Sequence, residues 1–199
     1  MHRLFALVLL LVHSLVGSLA HEPVVFSSSW RAGCPVPIAD LRVLHVPYWG
    51  FDDLAHDGTL VVHRDVAAAV VSAFDELYAA RFPIRRIVPI DAYGGDDARS
   101  TAADNTSAFN CRPATGSTSW SEHAYGRAID LNPLENPYVT AGGEVLPTNA
   151  TPFVDRRNVR PGMVEPGGPV IAAFARIGWK WGGDWSTPKD YQHFSVTGH

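Results

Sequence analysis

The sequence has little charge of either sign, few cysteines and only one long apolar run. Charged residues make up 18% of the 199 residues, the formal net charge is −4, and no stretch of Lys and Arg is long enough to form a basic stripe. That excludes a surface built to bind nucleic acid. No internal repeat, heptad or low-complexity tract is present, so solenoids and coiled coils are excluded too. Hydrophobic residues nevertheless amount to 46%, enough for one buried core in a chain the length of a single domain. The 15 prolines and 17 glycines point to short elements joined by many loops.

The one long apolar run, Leu4 to Val12, follows the single early charge of Arg3 and precedes the small residues Ser18 and Ala20. This is the layout of a secretory signal peptide, with cleavage expected after Ala20. An uncleaved anchor is the alternative, but His13 and Ser14 leave the run short of the ~20 residues that a span needs. No cysteine follows it to carry a lipid, and no second run of this kind exists. The expectation is an exported chain with residues 1–20 as signal and 21–199 as one domain, a monomer without stable membrane association. Outside the cytosol, Cys34 and Cys111 are expected to pair. Closing so long a loop would stabilise the fold by ~4 kcal/mol in the chain-entropy account.

Short Val- and Leu-rich runs at 41–46, 60–63, 86–90 and 128–131 read as strands, with an aromatic turn at Pro47–Phe51. Val66, Val70, Phe74 and Leu77 recur at helical spacing, which predicts a helix capped by Asp65 and stopped before Pro83. A second helix is predicted over 169–177. Residues 91–106 form a polar stretch, and 132–165 a Pro/Asn/Gly-rich excursion; loops of that kind border sites. Helices mix with short strands lacking a strict βαβ rhythm, so the fold class expected is α+β, one domain with a small, mainly antiparallel sheet flanked by helices.

Polar chemistry concentrates in two places. In Ser121–Asp130, Gly126 can turn the chain, after which Ala128, Asp130 and Asn132 share one strand face while Ile129 and Leu131 take the other. His123 can swing back to meet Asp130, and an imidazole with a carboxylate suits Zn²⁺. In Asp190–Phe194, His193 and Phe194 face opposite ways, one to a site and one to the core. His123, Asp130 and His193 would supply three ligands and leave a fourth position for water, with Asp190 as the base that takes its proton. On spacing alone the same residues would equally form a hydrogen-bonded polar network with no metal.

The pattern Ser-x-His-x-x-Gly-x-Ala-x-Asp at Ser121–Asp130, with Gly182-Gly183-Asp184-Trp185 and then Asp190-x-x-His193-Phe194, resembles the two metal motifs of the zinc D-Ala-D-Ala carboxypeptidases and L-alanyl-D-glutamate endopeptidases of the VanY/VanX type. The resemblance covers about 85–196. It implies an α+β fold shared with hedgehog-like modules, one Zn²⁺ on His123, Asp130 and His193, Asp190 as general base, and a peptidoglycan stem peptide as substrate. Carboxypeptidase action is favoured over endopeptidase action on the resemblance. A non-catalytic zinc module of the same fold is the rival of another class, and Asp190 speaks against it, since a binding module needs no base.

Such enzymes commonly carry an arginine upstream of the first motif, and here none follows Tyr93 directly. Arg112, beside Cys111, is the candidate to stabilise the oxyanion, with Arg99 as its rival. Trp181, Trp185 and Tyr191 are candidate cleft walls, Ser121 a candidate partner of a ligand, and Trp179 ordinary core. Asn136-Pro137-Tyr138 is placed to shape the substrate loop.

Overall fold

A computed structural model describes residues 19–20 and 26–199. The expected signal peptide, apart from its last two residues, lies outside the described residues. Among them, no helix is long and apolar enough to cross a membrane.

The strands are β1 (Leu19–Ala20), β2 (Leu41–Trp49), β3 (Ala55–His63), β4 (Ala128–Asp130), β5 (Tyr138–Val139), β6 (Val145–Leu146), β7 (Lys180–Trp181), β8 (Lys189–Asp190) and β9 (His193–Ser195). The α-helices are α1 (Ala67–Ala79), α2 (Asp97–Ala102) and α3 (Pro169–Arg176). The fold is α+β, but its strands form three small sheets and not one: β1-β2-β3, β4-β9-β7 and β6-β5-β8. Every strand pairing is antiparallel.

The core lies between β2–β3, helices α1 and α3, and the inner face of β4-β9-β7. Phe174 of α3 stacks on Phe194 of β9 at 4.3 Å between ring centroids and meets Phe74 of α1 edge-on at 6.4 Å. Offset and edge-to-face aromatic contacts of this kind add to the gain from burial itself. Ile129 and Leu131 enter the same core, and Trp179 is buried there too. A smaller cluster holds Val36, Leu41, Val61, Phe109 and Cys111, and Cys34 is disulfide-bonded to Cys111 across 77 residues.

Several local expectations change. β2 and β3 are longer than their Val/Leu runs, because each supplies the other with backbone partners from Leu41↔His63 to Trp49↔Ala55. Tyr48 and Trp49 therefore belong to the strand, and the turn begins at Gly50. Asp65 does not cap α1. A 3-10 turn, Arg64–Val66, precedes the helix, and the His63 side chain accepts the Asp65 amide. The run at 86–90 is not a strand; it makes one isolated bridge, Ile87↔Thr106.

The polar stretch at 91–106 holds α2 and is partly interior. Ser100, Asp104, Asn105 and Thr106 are all buried. Burial is tolerated because the polar groups are matched: Asn105 accepts from Val88 N at 3.0 Å and donates to Val88 O and Ser100 Oγ. Asp91 anchors the segment before β2. One of its carboxylate oxygens accepts the amides of Ser27, Ser28 and Ser29, and the other the Ser29 hydroxyl. Partial burial works against ionisation there, yet those hydrogen bonds bring the Asp91 carboxyl down to about 2.

Asp104 and Glu135 form a buried carboxyl pair, in which Asp104 Oδ2 and Glu135 Oε2 find no hydrogen-bond donor among the described residues. Burial first, then the charge and hydrogen bond of Asp104, push Glu135 up to about 8. The Arg85 guanidinium, 3.5 Å from Asp104, opposes the shift. A carboxyl whose folded pKa lies above its unfolded value contributes stability below the unfolded pKa, and that contribution is lost as pH rises through the folded one. Wild type should therefore lose about 1–2 kcal/mol, roughly 5 °C in Tm, between pH 5 and pH 9, after discounting for partial solvent screening. Glu135→Gln should flatten that slope in thermal melts; an unchanged slope would show that Glu135 is not the group responsible.

Candidate functional site

The site is a cleft of ≈ 760 Å³ bounded by α2, the loop at 112–122, β5, the segment after β6 and the chain from Trp185 to His193. Three side chains converge at its buried floor. Asp130 and His193 are direct partners in the β4–β9 ladder, so both project from the same face, while the neighbouring pair Ile129↔Phe194 projects into the core. Because alternation has period two, a register slip by one residue would exchange the site for the core. The segment at 107–108 flanks β4 on its other side, where Asp130 N donates to Ser107 O at 2.9 Å and Ser107 N returns a bond to Asp130 O.

His123 arrives from a 3-10 turn, Glu122–Tyr125, whose cap is Ser121: its hydroxyl accepts the His123 amide. Gly126 ends the turn at φ +66°, a left-handed conformation, and a Cβ there would lie 2.6 Å from His63 N. Glycine is required on both counts. The turn brings His123 Nε2 to 3.1 Å from Asp130 Oδ2, while His193 Nδ1 stands 3.1 Å from Asp130 Oδ1.

The three residues offer donor atoms within 4.8 Å of one another, and their second contacts decide which atoms those are. His123 Nδ1 faces the Ala108 carbonyl at 2.6 Å, and His193 Nε2 faces the His199 carbonyl at 3.2 Å. A carbonyl only accepts, so each of those nitrogens carries the proton and the other presents a lone pair. His123 Nε2 and His193 Nδ1 then face each other at 3.3 Å, two lone pairs with a carboxylate between them. Burial alone would raise the Asp130 carboxyl, but the two imidazoles hold it well below the carboxylate range. This donor set fits a divalent cation that prefers His nitrogen and accepts carboxylate oxygen, as Zn²⁺ does.

Asp190 reaches the same cleft from another sheet. It lies in β8, paired with Tyr138 of β5, whereas His193 lies in β9. The bend at Tyr191–Gln192 carries the chain between the sheets, so residues that a flat strand would separate both face the floor. Gly182 permits the approach: a Cβ there would meet Asp190 O at 2.7 Å and the His193 Cβ at 3.3 Å. Asp190 Oδ1 is shielded from solvent and has no hydrogen-bond partner among the described residues. Burial, with Asp130's charge adding and His193 opposing, pushes the Asp190 carboxyl up to about 7. A bound cation would draw it lower.

Of the other residues singled out from the sequence, Arg112, Ser121 and Trp185 line the cleft. The Trp185 ring lies 5.7 Å from that of His193, and its Nε1 donates to Gly198 O. Arg99 does not line it; it is exposed on α2, with its guanidinium toward Tyr93 O. Tyr191 and Trp181 are also off the cleft. Trp181 is core and donates to Tyr191 O, while the Tyr191 ring packs on that core beneath the Arg156 guanidinium at 4.6 Å. Asn132 leaves the strand face too. It adopts φ +45° and turns its amide to Arg85 N, Pro83 O and Gly162 O.

The sequence reading missed Asp97, Trp120 and Thr148, which line the cleft, and Arg156. The last ties the 132–165 excursion together through Glu135 O, Asn136 Oδ1 and Val164 O. Tyr138, expected to shape the substrate loop, lines the cleft as well.

Comparison with known proteins gives one result. A family model described as D-alanyl-D-alanine carboxypeptidase matches residues 115–196. The matched stretch includes His123, Asp130, Asp190 and His193, and begins three residues after Arg112. No curated protein and no solved structure matches the chain. Over residues 115–196, where the cleft floor is built, the chain is similar to the D-alanyl-D-alanine carboxypeptidase family.

Proposed function

We propose that this protein is an exported zinc peptidase that trims peptidoglycan stem peptides, acting as a D-Ala-D-Ala carboxypeptidase. The observation that carries the reading is the convergence of three donors, His123, Asp130 and His193, with the unpartnered oxygen of Asp190 in one cleft. The family match and the Cys34–Cys111 disulfide, a bond of oxidising compartments, support it.

A Zn²⁺ ion held by the three donors would polarise the scissile carbonyl and make water acidic enough to attack near neutral pH. The chain's own residues do the rest. Asp190 accepts a proton from the attacking water and passes it to the leaving amine, and its lifted pKa suits both steps. Arg112 offers the cleft a permanently charged donor for the carbonyl oxygen as charge builds there. Trp185 walls the cleft beside His193.

Mass analysis of muropeptides digested by the zinc-loaded protein tests the reading. Stems ending in D-Ala-D-Ala should be shortened by one alanine. Cleavage between L-Ala and D-Glu would assign the endopeptidase activity instead. One zinc per chain with every stem bond intact would assign a binding module.

A further inference from the structure

Arg112 is held more firmly than a cleft-edge arginine needs to be. Its Nε lies 2.9 Å from Asp97 Oδ1, and Nη1 donates to Pro113 O at 3.2 Å. Nη2 has no partner among the described residues. The backbone at 112 is fixed as well: Arg112 N donates to Asn110 O, Arg112 O accepts from Ser121 N, and the preceding Cys111 is bridged to Cys34 and donates to Ser29 O.

Asp97 is fixed in turn. It is the first residue of α2, whose cap Asp96 accepts the Arg99 amide. The buried Asn110 directs its amide to Asp97 Oδ1 at 3.4 Å and gives its backbone N–H to His123 O. One connected set of contacts, an ion pair and two hydrogen bonds, thus joins the guanidinium, the carboxylate and the segment bearing a metal-site histidine. Both Asp97 and Arg112 line the cleft.

Stability alone does not account for the pair. Its side chains are 33% and 21% exposed, and partly exposed ion pairs contribute only ~0–1 kcal/mol. Nor does substrate attraction, since an unpaired carboxylate in the cleft would repel an anionic stem peptide. A guanidinium with a carboxylate set against its Nε edge and with Nη1 bonded to Pro113 O, however, is restricted in the directions in which it can present Nη2. An oxyanion donor depends on that kind of preorganisation.

We propose that Asp97 is a positioning residue: it grips Arg112 so that the free Nη2 of the guanidinium is aimed at the scissile carbonyl. The inference rests on the peptidase reading above. If Asp97 acts only through Arg112, their effects on catalysis cannot add.

A double-mutant cycle on a D-Ala-D-Ala-ended peptide tests this, with zinc content and Tm followed in every variant. Arg112→Ala should lower kcat ~100-fold, and Asp97→Ala should lower it ~10-fold with KM little changed. Asp97→Ala placed in the Arg112→Ala background should cost nothing more. Asp97→Asn should lower kcat about as much as Asp97→Ala, because the carboxylate holds Nε by charge and a neutral amide does not; full activity in Asp97→Asn would overturn that grip. If the alanine variant melts early, Asp97→Ser takes its place in the cycle, since helix N-termini accept serine. An equal fall from Asp97→Ala in both backgrounds, or none in either, would overturn the role of Asp97 while leaving the peptidase standing. Normal kcat in Arg112→Ala would remove both residues from the mechanism. Zinc-loaded wild type without hydrolysis would overturn the peptidase reading and this inference with it.

Discussion

Asp190→Asn should retain one zinc per chain and hydrolyse D-Ala-D-Ala-ended peptides ~10³-fold more slowly than wild type. An amide of the same shape keeps the packing against Gly182 but cannot accept a proton, and general base catalysis is worth roughly 10²–10⁴-fold. The loss should fall on kcat, because proton transfer belongs to the transition state and not to substrate binding. In wild type, activity should decline on the acid side as Asp190 is protonated. Its carboxyl stands at about 7 without a cation, so with zinc bound the midpoint should lie below that. Metal lost together with activity would mean that Asp190 is itself a ligand; activity retained would mean that the base lies elsewhere.

Asp130→Ala should have the larger effect. The aspartate sits between the two imidazoles, with one oxygen 3.1 Å from each, and it supplies the only negative charge in the donor set. Removing it leaves two neutral nitrogens, which bind a divalent cation weakly. Zinc should fall below detection after dialysis, and activity should drop by about 10⁴-fold or more. The fold should survive, since the β4–β9 ladder and the Ile129 and Phe194 packing do not involve the carboxylate. Circular dichroism alongside zinc analysis would separate loss of metal from loss of structure. Full zinc occupancy in a folded Asp130→Ala would show that this side chain is not a ligand.

The floor of the site was legible because its geometry is local and periodic. In a strand, Asp130 and Ile129 must face opposite ways, as must His193 and Phe194, and the apolar member of each pair names the core side. Gly126 likewise announces its turn, since few other residues accept φ +66°. What the sequence could not announce was the partner of each strand. Tyr48 and Trp49 are strand residues because β3 continues opposite them, and Asp190 faces the floor because β8 joins β5 and not β4. Long-range pairing also explains the interior polar residues. Asn105 and Asp104 read as solvent-exposed loop until Val88 and Leu134 are found on their side chains. Tyr191 looked like a cleft wall by its place beside Asp190; the bend that brings Asp190 and His193 together turns the intervening ring onto the core instead. Arg112 and Asp97 stand apart in the chain, and only the folded loop at 110–112 puts one carboxylate against one guanidinium.

The central claim is that His123, Asp130 and His193 hold a metal ion at the floor of the cleft. Anomalous diffraction at the zinc edge from crystals of the zinc-loaded protein tests it most directly. The account predicts a single peak at coordination distance, about 2.0–2.2 Å, from His123 Nε2, His193 Nδ1 and an Asp130 oxygen. A peak elsewhere, or no peak between those three atoms, would contradict it.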